Sequence, residues 1–146
     1  MSERTSLPVE FLFRIEAETS APLSVSPGPH GDRLILGASG GRFEGPRLSG
    51  RVVPGPGSEW ATLRGDGSLK ADVRLVLETD DEAVILMTYN GVGRPDPERG
   101  LRITTAPLFE TGDSRYQWLH GLQAIGIGAP IAGGVGYDVY AVEWPG

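Results

Sequence analysis

The chain has no cysteine, one lysine and two histidines in 146 residues. The missing cysteine excludes disulfides, thiolate catalysis and cysteine-ligated metals. His30 and His120 stand far apart, and no H-x-H or H-E-x-x-H spacing occurs, so no metal site is expected. Asp80-Asp81-Glu82 reads as a solvated turn. No run approaches ~18 apolar residues, so no membrane span is expected. The start, Met1 to Arg4, is polar and lacks an apolar signal region, which points to the cytoplasm. A net charge of −6 argues against nucleic acid, because phosphate affinity needs basic surface. No Walker A sequence is present, and Gly126-Ile127-Gly128 and Gly133-Gly134-Val135-Gly136 do not sit in a βαβ pattern. Gly37-Ala38-Ser39-Gly40-Gly41 spells a nucleophile elbow, but Arg42 to Pro46 cannot open the helix that elbow requires.

Glycine and proline, by contrast, are abundant at 22 and 12 residues. Apolar periodicity is close to two along most of the chain. Phe11, Phe13, Ile15 and Ala17 alternate with Leu12, Arg14, Glu16 and Glu18 in a first strand. Residues 20–32 read as a long loop. Further strands begin at Arg33 and Leu48, and run over Glu59–Arg64, Leu69–Thr79, Ala83–Gly91 and Arg102–Ala106. Leu122–Ile127 and Tyr137–Glu143 close the chain. Pro54-Gly55-Pro56-Gly57 and Gly65-Asp66-Gly67 are turns. Gly93 to Glu98 reads as a polar, mobile loop. Asp113 is placed to cap a short helix through Leu119. The pattern predicts a single all-β domain over residues 1–146, a closed antiparallel β-barrel of about 8–10 strands with one short helix.

The stretch from Gly40 to Gly50 packs four glycines, Pro46, Phe43, Glu44 and two arginines together. Such density lets a strand bend, bulge or approach another backbone. It resembles the "GGxFEGPxLxG" signature of the DUF3237 (UPF0311) family of small β-barrel proteins. Other segments carry the same resemblance in order. Trp60 with Asp66-Gly67 is similar to the family's tryptophan and "DG" turn, and Leu69 to Arg74 to its "LDaR" strand. Leu77 to Asp81 is similar to "LeTdDG", with Glu82 in place of the usual glycine. Asn90-Gly91-Val92 resembles "nrG", and Leu101 to Pro107 resembles "yfRtaP", with Leu101 replacing the aromatic. Phe109 to Asp113 with Tyr116 and Trp118-Leu119 resembles "FeTgdprYaWLN", with His120 replacing the asparagine. Tyr137 to Tyr140 resembles "YdvY". The resemblance spans residues ~10–142 and implies a β-barrel, often dimeric, with a poorly defined biochemical role.

Several residues are candidates for chemistry. Asp72 and Arg74 share one face of a strand, opposite Ala71, Val73, Leu75 and Leu77. Either the aliphatic face fills the barrel and the charges meet water, or the pair lies in the lumen and orients a polar ligand. Glu44 can serve in proton transfer if desolvated beside a bulge; the alternative is an exposed acid paired with Arg42 or Arg47. Arg102 has the fork geometry for a carboxylate or enolate oxygen, and a structural pair with Asp72 or Glu78 is the alternative. Trp60, Tyr89, Phe109 and Trp118 are core aromatics or a pocket lining, and the Tyr89 hydroxyl suits a developing oxyanion. Glu44, Tyr89 and Arg102 are thus the catalytic candidates, and Trp60, Asp72, Arg74 and Trp118 the ligand-binding ones. The expected function is a small-molecule-binding barrel acting as a cofactor-independent isomerase, cyclase or lyase. A non-catalytic binder of a partly hydrophobic or anionic metabolite, or a structural dimer with a filled lumen, are the alternatives. The strand over residues 83–91 is apolar on both faces, so outer cover is needed. A homodimer partner is the expected cover, with the chain's own loops as the alternative.

Overall fold

A computed structural model describes residues 5–144. The polar start at Met1 to Arg4, on which the reading of the N-terminus rests, lies outside the described residues. Eleven strands follow in order: β1 (Val9–Thr19), β2 (Leu23–Gly28), β3 (Gly31–Glu44), β4 (Ser49–Val52), β5 (Ser58–Leu63), β6 (Leu69–Thr79), β7 (Val84–Asp96), β8 (Gly100–Thr105), β9 (Leu108–Thr111), β10 (Ala124–Ile131) and β11 (Gly134–Val142). A 3-10 helix over Ser114–Gly121 lies between β9 and β10, and the Asp113 side chain accepts the Arg115 N–H at its start. Among the described residues no helix is long and apolar enough to cross a membrane.

The strands pair antiparallel and close a ring of eight: β3, β1, β11, β10, β8, β7, β6 and β5. β4 and β5 behave as one interrupted strand. Both lie between β3 and β6, β5 along Asp32–Gly37 and Leu69–Arg74 and β4 along Arg42–Glu44 and Leu77–Thr79. β8 and β9 divide the edge of β7 in the same way. Strand alternation then sorts the side chains. Phe13, Ile15 and Ala17 of β1 point inward, as do Ala71, Val73, Leu75 and Leu77 of β6 and Ile85, Met87 and Tyr89 of β7. At one end the Phe13 ring meets Phe43 at 5.4 Å and Phe109 at 5.9 Å between centroids. The 3-10 helix covers that end. It buries Leu119 completely, and the Tyr116 hydroxyl donates to Asp81 in the β6–β7 turn at 2.8 Å. His120 Nε2 accepts the Thr111 N–H at 3.0 Å and ties the helix to β9. Leu34, Leu36, Glu59 and Leu101 keep partial exposure, so solvent reaches the interior away from the helix.

Two segments differ from their sequence reading. Residues 20–32 are not a loop throughout, because β2 pairs with β3, setting Leu23 against Ile35 and Ser24 against Leu34. Pairing uses backbone groups, so the polar side chains of β2 do not oppose it. Pro27 sits where its missing N–H is tolerated, on an edge strand. The stretch from Gly93 to Asp96 continues β7 and pairs with β8, with Pro95 opposite Leu101. Asp96 then accepts the Glu98 and Arg99 N–H groups and closes the turn.

The glycine corner bends β3. Gly40 and Gly41 have φ of 151° and 127°, a region that favours glycine. At Gly45 a methyl group would overlap the Leu12 carbonyl oxygen, whereas nothing lies within 4 Å at Gly65. Gly45→Ala is expected to cost about 2–3 kcal/mol in denaturant unfolding, and Gly65→Ala less than about 0.5 kcal/mol. Equal midpoints for the two variants would show that the corner is not a close-packed crossing.

Candidate functional site

A row of inward positions crosses the barrel from Leu36 to Glu59, Val73 and Tyr89, each directly opposite the next. It places a carboxylate on the same inner wall as a tyrosine. Tyr137 reaches the same space from β11. Its ring lies over Gly128 of the neighbouring strand, where a methyl group would overlap the ring carbon Cδ1. Glycine at that position therefore makes room for the aromatic. The Tyr89 and Tyr137 rings meet edge to face with centroids 5.7 Å apart.

All three groups are electrostatically strained. Burial pushes the Glu59 carboxyl above its ordinary value of 4.5. Burial pushes the Tyr89 phenol far above its usual range, with the neighbouring Tyr137 and the Glu59 charge adding to the shift. Tyr137 also moves up, by burial first and the Glu59 charge second, with the neighbouring Tyr89 hydroxyl opposing the rise. Both phenols are thus neutral donors at any physiological pH. Tyr137 Oη makes no well-formed hydrogen bond among the described residues, although the residue is only 2% exposed; the Tyr89 hydroxyl is its polar neighbour. A buried hydroxyl left unpaired costs about 1–3 kcal/mol. The cluster can exchange a proton at Glu59 and stabilise an oxyanion at the tyrosines.

Of the residues singled out from the sequence, Tyr89 alone joins this interior cluster. Glu44 lies on the outer wall with its side chain 76% exposed, 3.8 Å from Arg42, so no burial acts on it. Arg102 points outward and pairs with Asp96 at 3.2 Å. The structure does not bring Glu44, Tyr89 and Arg102 together. Asp72 and Arg74 are exposed because Ala71, Val73, Leu75 and Leu77 take the inner face of β6, and among the described residues they form no ion pair with each other. Trp60 is 45% exposed and donates its indole N–H to Ser58 at 2.9 Å. Trp118 is half-buried under the Arg47 guanidinium, 3.5 Å from the ring centroid. Phe109 belongs to the covered end of the core. Glu59 and Tyr137 escaped the sequence reading. The available signal for Glu59 was parity: it alternates with Ala61 and Leu63, while Trp60 on the other parity drew attention outward.

The raised Glu59 carboxyl has a consequence for stability. Folded protein keeps this proton at pH values where the unfolded chain has released it. The group therefore supports folding at low pH, and that support is lost as pH rises through the folded-state value. Glutamine cannot titrate. Glu59→Gln is expected to gain stability relative to the wild type as pH rises above the ordinary carboxyl value of 4.5, then to hold a constant difference once the folded-state group is ionised. Parallel pH–stability curves for the two proteins would place the carboxylate in water.

Comparison with known proteins fits this architecture. A UPF0311 protein of Rhodopseudomonas palustris is 29% identical over 150 residues, covering 94% of this chain and 97% of that protein. A crystal structure of a conserved protein of unknown function from the same species superposes with a TM-score of 0.88 at 27% identity, covering 96% of this chain and 100% of the other. A β-barrel-like protein from Acinetobacter baumannii superposes with a TM-score of 0.87 at 25% identity, covering 98% and 100%. The hydroalkoxylation enzyme phnH of Penicillium herquei is 27% identical over 125 residues, covering 86% of this chain and 76% of that enzyme. An enzyme structure from that fungus shares the fold, with a TM-score of 0.78. Residues 7–142, which take in every strand of the barrel, match DUF3237, described as a protein of unknown function, and the chain belongs to that family.

Proposed function

We propose that this protein is a cofactor-independent acid–base catalyst for a small, partly apolar molecule, an isomerase, cyclase or lyase working inside the barrel. The observation that carries the reading is the buried Tyr137 hydroxyl, without a well-formed hydrogen bond among the described residues, near enough to the desolvated Glu59 carboxyl for its charge to act on it. Glu59 moves the proton, since a carboxyl raised by burial sits closer to the pH at which it must both take and give one. Tyr89 and Tyr137 hold the substrate oxygen as negative charge develops on it. The apolar inner wall of Ala71, Val73 and Val139 receives the remainder of the molecule. The phnH relative supports this class of chemistry. Hydroalkoxylation adds O–H across a C=C bond, so one proton leaves oxygen and one arrives at carbon, and the reaction balances on proton movements alone.

The test uses ortho-alkenyl phenols in D₂O, with mass spectrometry counting deuterium delivered to carbon. Wild type is expected to incorporate one deuterium per turnover. Glu59→Gln is expected to lose about 100-fold or more in rate. Tyr137→Phe is expected to lose about 10–100-fold. Undiminished turnover in Glu59→Gln would remove the carboxylate from the mechanism. A phenol that shifts the Tyr89 and Tyr137 resonances without deuterium incorporation would make the protein a binder instead.

We also propose that a second copy covers the outer face of β7. Val84 and the nearby Leu108 are 54% and 51% exposed, and Leu86 is half-buried, so the described loops leave this apolar face open. Light scattering is expected to give close to twice the 15.5 kDa chain mass, and Leu86→Glu to halve it. A wild-type monomer at micromolar concentration would end this reading.

A further inference from the structure

We infer that the outer wall of the barrel carries a second site, separate from the interior, that binds small amphipathic carboxylates. The site spans β7, β8, β10, β11 and β1. In-register pairing sets Val92, Thr104, Ile127, Asp138 and Arg14 side by side across these strands. They lie on the parity opposite to the inward Ile103, Thr105 and Tyr137, so the row faces out. Val92 and Ile127 form an apolar floor that is 47% and 58% exposed. Arg14, Arg94, Arg99 and Arg102 stand around it, enclosing a groove of about 750 Å³. That volume falls among small-molecule sites, which run from about 300 to 1,000 Å³.

The arginines are held in a way that leaves donors free. Asp96 accepts the backbone N–H groups of Glu98 at 2.9 Å and Arg99 at 3.0 Å. The same carboxylate, with its side chain 9% exposed, sits 3.2 Å from Arg99 Nη1 and 3.2 Å from Arg102 Nε. Arg102 is thus held as an ion pair, and its guanidinium makes no hydrogen bond among the described residues. Arg94 has no ion pair among the described residues, yet it lies directly across from Arg102 in the β7–β8 ladder. Like charges at opposed positions destabilise a sheet. An anion between the two guanidiniums relieves that repulsion. On the other wall Arg14 is already shared between Glu16 at 3.4 Å and Asp138 at 3.6 Å. The free donors therefore concentrate at Arg94 and Arg102.

The geometry selects the ligand class. Paired guanidinium forks match the planar carboxylate, and the Val92–Ile127 floor accepts one or two rings behind it. An extended polyanion is disfavoured by a chain of net charge −6. The free donors are confined to the adjacent positions Arg94 and Arg102, and the other groove arginine, Arg99, is also paired with Glu98 at 3.9 Å, so the ligand is small.

Naphthalene-2-carboxylate and its uncharged analogue naphthalene-2-carboxamide serve as probes, titrated into ¹⁵N-labelled protein. The carboxylate is expected to shift the amides of Val92, Arg94, Arg102, Thr104 and Ile127. The carboxamide is expected to bind about tenfold more weakly or worse, and Arg94→Ala to weaken the carboxylate by about tenfold. Arg94→Ala breaks no ion pair among the described residues, so it retains the wild-type spectrum. Arg102→Ala provides an independent second variant with the same expected loss. Glu59→Gln is expected to bind the probe as the wild type does, which separates this site from the interior one. Equal affinity for carboxylate and carboxamide overturns the inference. So do wild-type affinity in both arginine variants and shifts confined to interior residues such as Ala71, Gly91 and Tyr137.

Discussion

The fold depends on one strand keeping four partners. β3 pairs with β2 and β5 over its first part and with β1 and β4 over its second. A straight strand cannot serve both sets, because the barrel wall turns between them. The left-handed backbone at Gly40 and Gly41 supplies the turn. Their neighbours Gly45 and Gly50 allow β1 and β6 to approach, with the Leu12 and Glu78 carbonyl oxygens where a side chain would otherwise stand. With β3 bent, β5 can return to β6 and the ring closes. Without the bend an open sheet would leave long unpaired edges, a liability that closed barrels remove.

Closure also sets the electrostatics of the interior. A barrel interior is apolar by default, so a carboxylate placed there is desolvated without any special device. Glu59 and the two tyrosines enter that interior from β5, β7 and β11, three separated parts of the chain. Gly128 pre-empties the space that the Tyr137 ring occupies. The hydroxyl then makes no well-formed hydrogen bond among the described residues. In a structure where stability is the only aim, phenylalanine would serve there better, since it buries the same ring and leaves nothing unpaired. Stability is therefore surrendered at a point close to the desolvated Glu59 carboxyl, whose charge acts on the same hydroxyl.

Much of this was legible in the residues. Period-two alternation and turn chemistry predict the all-β barrel, and the glycine corner predicts a bend. Asp113 predicts the start of the helix, which the structure shows as a 3-10 helix. What escaped depends on pairing rather than on local pattern. β2 carries Ser and Pro that suggest a loop, yet it is held by its backbone bonds to β3. Asp72 and Arg74 belong to a strongly patterned segment, and their shared face is evident. The exposed side becomes certain only once Val73 is seen opposite both Glu59 and Tyr89. Glu59 opens a short strand beside a tryptophan, and the larger residue is the poorer guide to the interior. Three strands must be in register before an acid on one and phenols on two others are known to meet.

The same register explains why adjacent residues serve unrelated ends. On β11, Tyr137 faces the interior while Asp138 faces the outer wall and Arg14. On β8, Ile103 is buried in the core while Arg102 stands in the exposed groove. A one-residue slip in either strand would exchange the two sets and place an arginine or aspartate among aliphatic side chains. The desolvation cost of that exchange enforces the register more strongly than backbone hydrogen bonds, which a slipped pairing would largely re-form. The charged outer wall and the apolar inner wall thus specify one another. A carboxylate and two phenols stand inside among inward positions that are aliphatic, aromatic, glycine or, at Thr105, a hydroxyl, so the desolvation penalty is confined to that one cluster.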